Sequence, residues 1–187
     1  MPAYDPRIHH RRSIRLNGYD YSQPGYYYIT LVTQGRQCFF GEVFDGLMRL
    51  NYAGQMVYKW WCELPNKFQT ITLDESIVMP NHFHGIIVIH DAIGGTQTGE
   101  GTHVGSRDTH VGVSLLPTVV QWFKTMTTNE YIRGVKSQAW PPFDRKLWQR
   151  NYYEHIVRND HSLDRIRQYI IANPIHWQQD HGYPGLV

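Results

Sequence analysis

Segments with strand character and segments with helix character alternate along this chain in an order that few topologies can satisfy. Residues 26–33 (YYYITLVT) are dense in aromatic and β-branched side chains and read as a buried strand. Residues 38–44 and 47–50 flank Asp45-Gly46, a favoured two-residue hairpin turn. Asn51 is placed to cap a helix that runs to about Leu64 and is ended by Pro65, with Met56, Val57, Trp60, Trp61 and Leu64 at helical spacing. Strands are expected over residues 69–79 and 82–90, separated by the turn Pro80-Asn81. A second amphipathic helix is expected over residues 115–132, a fourth major strand over 147–157 (LWQRNYYEHIV), and a last helix over 160–172, before Pro174. The order strand, helix, strand, strand, helix, strand, helix implies an α+β, ferredoxin-like arrangement: an antiparallel sheet with helices on one face and its other face open to a substrate.

A chain of 187 residues fits one domain, taken here as residues 1–187. Within it, residues 93–114 hold Gly94, Gly95, Gly99, Gly101, Gly105 and Gly112 and a short repeat, THVG at Thr102 and again at Thr109. A segment of this length and composition reads as a disordered Gly-rich loop, and its His103 and His110 lack a scaffold that would make them metal ligands. No apolar run approaches the ~20 residues that span a bilayer, and the N-terminus lacks an apolar leader core, so no membrane partner and a cytoplasmic location are expected. Cys38 and Cys62 form no CxxC pair and read as reduced core residues.

The net charge of +2 is too small to imply a partner, but its distribution is uneven. Residues 121–167 carry nine Lys/Arg against five acids, whereas residues 21–120 carry five against eight. The C-terminal half is therefore the better candidate for a phosphate-facing surface, with Lys124, Arg150 and Arg158 as candidate contacts and Arg11, Arg12 and Arg15 as a basic arm. An ordinary solvated face would show the same counts.

Chemistry enters at His82-Phe83-His84. These residues follow a turn and open a strand, so both imidazoles share a face while Phe83 points into the core. Two ligands on one cation would be so arranged, as would two satisfied polar residues on a sheet. On the last helix Leu163, Ile166 and Ile170 form an apolar stripe, and Tyr169 and Asn173 sit one turn apart at its edge. A phenol there is a possible nucleophile and the amide oxygen a possible third ligand; equally, Tyr169 could be a packed aromatic and Asn173 a C-terminal cap.

The chain resembles the HUH-endonuclease superfamily, and within it the single-tyrosine transposases of insertion-sequence type, especially the REP-associated tyrosine transposases. The likeness lies in GYDYSQPGYYYITLVTQGRQCFFGEV (residues 18–43), LDESIVMPNHFHGIIVI (73–89), LWQRNYYEHIVRN (147–159) and YIIANP (169–174). The resemblance implies a ferredoxin-like or RRM-like HUH domain with a catalytic C-terminal helix, His82 and His84 as metal ligands joined by Asn173, and Tyr169 as nucleophile. Related enzymes often carry Gln at the position of Asn173. The rival phenols Tyr152 and Tyr153 fall on the expected strand without a ligand partner at helical spacing.

It implies further a cofactor that is Mg²⁺ or Mn²⁺, no organic cofactor, and a partner that is single-stranded DNA bearing a hairpin. The protein would act as a homodimer or monomer, and cleavage would leave a 5′-phosphotyrosine and a free 3′ hydroxyl. A phenol with a pKa near ~10 must lose its proton to attack, and a cation would grip the scissile phosphate and help the 3′ oxygen leave. The alternative is a domesticated DNA-binding protein of the same fold without transposition activity. A histidine-triad phosphoesterase is disfavoured because Gly85-Ile86 follow His84 where HxHxH is needed.

Overall fold

The computed structural model describes residues 19–91 and 115–177. Arg11, Arg12 and Arg15 and the Gly-rich segment 93–114, with His103 and His110, lie outside the described residues.

Strands β1 (Gly25–Val32), β2 (Gly41–Phe44), β3 (Leu47–Leu50), β4 (Ile71–Val78), β5 (His82–Ile89) and β6 (Tyr153–Val157) alternate with helices α1 (Tyr52–Cys62), α2 (Leu64–Lys67), α3 (Leu115–Ser137) and α4 (Asp160–Ala172). β4, β5, β1 and β6 form an antiparallel sheet in that spatial order, while β2 and β3 make a separate hairpin. The four main strands thus follow the ferredoxin-like order expected from the sequence. The hairpin turns at Asp45 and Gly46, both with positive φ (53° and 69°), the geometry that matches the twist of paired strands.

Period-two alternation sorts β1 onto two cores. Tyr27, Ile29 and Leu31 face α1 and α3, where they join Phe83, Ile87, Trp61, Val119 and Phe123 in the larger cluster. Tyr28 faces the other way and packs with Ile86 and Val157 under Leu163 and Ile170 of α4. Helices α1 and α3 therefore cover one face as expected, and the opposite face is crossed by α4. Asn51 starts α1 by accepting from Gly54 N at 2.9 Å, and Asn159 starts α4 by accepting from Ser162 N at 2.8 Å, each supplying a partner for an amide that the helix cannot satisfy. Gly85 is required by close approach, since a Cβ there would lie 2.6 Å from the Trp61 ring.

Several expectations need correction. The strand expected over 147–157 is realised only at Tyr153–Val157. Leu147 and Trp148 are both buried in the larger core, Trp148 makes an isolated bridge with Thr33, and its indole donates to Thr127 Oγ1 at 2.9 Å. The carbonyls of Gln149 and Arg150 are taken by the Lys124 ammonium at 2.7 and 3.1 Å, not by a ladder. Pro65 does not end helical structure outright: α1 stops at Cys62 and a further turn, Leu64–Lys67, places Pro65 where no amide is needed. α3 extends past Ile132 to Ser137, with Gly134 leaving room for the Trp140 ring. Cys38 and Cys62 are free but exposed, not core residues. No helix among the described residues is long and apolar enough to cross a membrane.

Candidate functional site

The turn Met79-Pro80-Asn81 delivers the chain into β5, and Met79 N donates to His82 O at 2.8 Å to close it. His82 and His84 then project from β5 toward α4, with ring centroids 4.6 Å apart, while Phe83 is fully buried on the opposite side against Trp61 and Phe123. Both imidazoles are only 4% exposed, because α4 roofs them; the face expected to be open is closed over the histidines.

The second nitrogen of each ring is fixed by neighbours. Asn81 Nδ2 donates to the Arg36 carbonyl at 3.1 Å, so its Oδ1 is the atom turned to His82 Nδ1, at 2.7 Å. An oxygen there requires that His82 Nδ1 carry the proton, which leaves a lone pair on Nε2. His84 lies opposite Thr30 on β1, and its Nδ1 is 2.9 Å from Thr30 Oγ1 and 2.7 Å from the Tyr28 hydroxyl. Thr30 spends its proton on Tyr28 at 3.1 Å, so Thr30 Oγ1 is free to accept from His84 Nδ1. With His84 Nδ1 as donor to Thr30, Nε2 carries the lone pair, and it is buried without a hydrogen-bond partner. Burial, with His82 alongside, pushes the His84 pKa well below the ordinary histidine value, which keeps the ring neutral.

α4 brings the remaining groups. Tyr169 and Asn173, one turn apart, meet the two histidines separately: the Tyr169 ring lies 5.3 Å from His84 and 6.5 Å from Tyr28, and Asn173 Oδ1 lies 3.3 Å from His82 Nε2. Asn173 is 2% exposed, a buried amide whose oxygen faces a lone-pair nitrogen. Two acceptors so placed are reconciled by a cation that both can bind, or by turning the amide so that Nδ2 donates. Among the described residues no group of three or more His, Cys, Asp or Glu could hold a metal. The donor set available is two imidazole nitrogens and one amide oxygen, and the partnerless His84 Nε2 is the observation that such a set fits.

The helix is clamped to the sheet edge by Arg167, whose guanidinium contacts Asp74 twice, Nε to Oδ1 at 2.9 Å and a terminal nitrogen to Oδ2 at 2.6 Å. Asp74 sits at a bulge, where the β4–β5 register shifts between Leu73 and Ser76. Hydrogen bonds from Arg167 hold the Asp74 carboxyl below the ordinary carboxylate range.

A relative from Haemophilus influenzae, itself an uncharacterised protein, is 38% identical over 193 residues, covering 96% of this chain and 97% of its own. The chain belongs to the family of that Haemophilus protein. No family model matches it. Among solved structures it is similar to a REP-associated tyrosine transposase bound to a REP hairpin, with a TM-score of 0.51 and 16% identity, covering 83% of this chain and 69% of that one. At that identity the likeness shows the fold: this is the architecture of a REP-associated tyrosine transposase, as the sequence motifs led us to expect.

The candidate nucleophile and the three candidate ligands therefore come together on α4 and β5. The rival phenols lie on β6 and the segment before it, not on α4: Tyr152 packs against the larger core, and Tyr153, at the start of β6, meets the Tyr28 ring at 6.2 Å. Lys124 is committed to two carbonyls, with burial lowering its pKa to about 8, and is poorly placed to grip a phosphate. Arg150 and Arg158 are exposed. Sequence reasoning missed Asn81, Tyr28, Thr30 and the Asp74–Arg167 pair. Asn81 and Thr30 had a readable signal, since one precedes the histidine pair and the other is a polar residue inside an apolar strand.

Proposed function

We propose that this protein is a metal-dependent single-stranded DNA endonuclease and strand transferase, which cuts near a hairpin through a 5′-phosphotyrosine on Tyr169. The observation that carries the reading is the paired contact of α4 with β5, Tyr169 against His84 and Asn173 against His82. The fold it shares with a transposase bound to a REP hairpin supports a hairpin-bearing strand as the substrate class.

A divalent cation, Mg²⁺ or Mn²⁺, held by His82 Nε2, His84 Nε2 and Asn173 Oδ1, would neutralise charge on the scissile phosphate and favour departure of the 3′ oxygen. Asn81 and Thr30 each offer an acceptor to the Nδ1 of one imidazole, which would leave both Nε2 lone pairs for the cation. α4 holds the Tyr169 oxygen for attack on phosphorus. The phenolic proton leaves as the oxygen–phosphorus bond forms and the bond to the 3′ oxygen breaks, with that oxygen taking up a proton. The phosphodiester is preserved as an ester of Tyr169, so another 3′ hydroxyl can reverse the step and join strands without ATP.

Incubation of the protein with a pool of hairpin-bearing single-stranded oligonucleotides and Mn²⁺ tests this reading, with covalent adducts identified by mass spectrometry. A metal-dependent adduct on Tyr169 is expected. Binding without any cleavage across the pool would instead favour a DNA-binding protein that has kept only the fold.

A further inference from the structure

Away from the histidines, where β6 hands over to α4, the surface holds a cavity of about 350 Å³. Arg158, Arg165, His155, His161 and Ser162 line it, together with Glu154, whose carboxylate oxygens are buried. Neither Arg158 nor Arg165 makes an ion pair among the described residues, in contrast to Arg167, which is paired with both Asp74 and Asp164. Two unpaired guanidiniums converge on one concavity, beside the positive end of a thirteen-residue helix whose cap occupies only the Ser162 amide. The field registers on His155, whose pKa is lowered by burial and then by Arg158 and Arg165.

We infer that this cavity is a subsite for a backbone phosphate of the single-stranded DNA, gripped by Arg158 and Arg165. The inference rests on the proposed function. α4 runs from the cavity to the reacting centre: from Ser162 to Tyr169 is seven residues, or ~10 Å of helix at ~1.5 Å per residue. A phosphate held here therefore sits within a few nucleotides of the scissile one. Guanidinium forks suit this role because they meet phosphate oxygens in pairs and cannot lose their charge. The strand would thus be held at both ends of one rigid element, with the same helix setting the distance between grip and cut.

The test uses the full chain and a fluorescent single-stranded hairpin oligonucleotide in EDTA, so that no cleavage intervenes. Binding is titrated across a salt series for the wild type, for Arg158→Gln/Arg165→Gln, and for Arg133→Gln, an exposed charge on α3 on the far side of the sheet. The double variant should bind about tenfold more weakly, and the dependence of log affinity on log salt should flatten by about 0.7, the share of one single-strand phosphate. Arg133→Gln should change neither. At saturating oligonucleotide with Mn²⁺, the double variant should still form the Tyr169 adduct. Unchanged affinity and slope in the double variant, an equal loss in Arg133→Gln, or no binding by the wild type would overturn the subsite. If the wild type binds but never forms an adduct, the proposed function fails while the salt slopes still decide the cavity.

Discussion

Asn173 Oδ1 lies 3.3 Å from His82 Nε2, and this contact ties the last helix to the strand that carries both histidines. The His82 ring is oriented from behind by Asn81, whose own amide is fixed by the Arg36 carbonyl, so the nitrogen facing Asn173 is the unprotonated one. In the proposed site, that amide oxygen and the His82 nitrogen would supply two of the three metal ligands, with His84 Nε2 as the remainder.

Removing that remainder should abolish metal binding. Mn²⁺ at about 100 times its dissociation constant should stabilise the wild type by ~2.7 kcal/mol, and His84→Ala should lose this gain. Because His84 is buried, the variant should also start out less stable, by ~1–3 kcal/mol, as Thr30 and Tyr28 lose their partner. Asn81→Ala should retain metal binding but weaken it ~10–100-fold, since it removes only the group that orients His82. Calorimetric titration with Mn²⁺ separates these outcomes, and an unaltered metal affinity in His84→Ala would remove His84 from the site.

The Asp74–Arg167 clamp should be felt in stability and in its pH dependence. The Asp74 carboxyl is held below its ordinary value, so its contribution is complete above about pH 4 and is lost as the pH falls through the lowered folded value. Asp74→Asn should cost ~1 kcal/mol at pH 7, and the difference from wild type should shrink at pH 2–3. Urea melts at both pH values check this; a difference that stays constant would mean that Asp74 acts through something other than its charge.

Gly85 separates His84 from Ile86 and lies over the Trp61 ring. Gly85→Ala should destabilise the protein by ~1–3 kcal/mol through overpacking, with a lower melting temperature as the readout. Pairing it with Trp61→Phe should recover part of the loss, because the contacting ring atoms are those of the indole's outer edge. No recovery would place the strain elsewhere.

Much of this arrangement was legible in the sequence because it depends on local period. Alternation put His82 and His84 on one face and Phe83 on the other, and helical spacing put Tyr169 and Asn173 one turn apart. The strand order followed from the succession of elements. What could not be read was set by long-range contacts. Leu147 and Trp148 look like strand residues, but only an isolated bridge from Trp148 to Thr33 forms, and the carbonyls that follow go to the distant Lys124. The Asp74–Arg167 pair spans 93 residues and depends on a bulge that no local pattern announces. Roofing of the histidines by α4 likewise becomes visible only once the helix is docked.

The central claim is that Tyr169 forms the covalent bond to DNA, and Tyr169→Phe tests it most directly. The substitution removes the attacking oxygen and keeps the ring beside His84 and Tyr28, so the variant should fold and bind hairpin DNA. Cleavage reactions with 5′- and 3′-labelled single-stranded hairpin substrates in Mn²⁺, resolved on denaturing gels, should show the wild type, Tyr152→Phe and Tyr153→Phe linked to the fragment downstream of the cut, and Tyr169→Phe linked to nothing. An adduct formed by Tyr169→Phe, or one attached through a 3′ phosphate, would contradict the assignment.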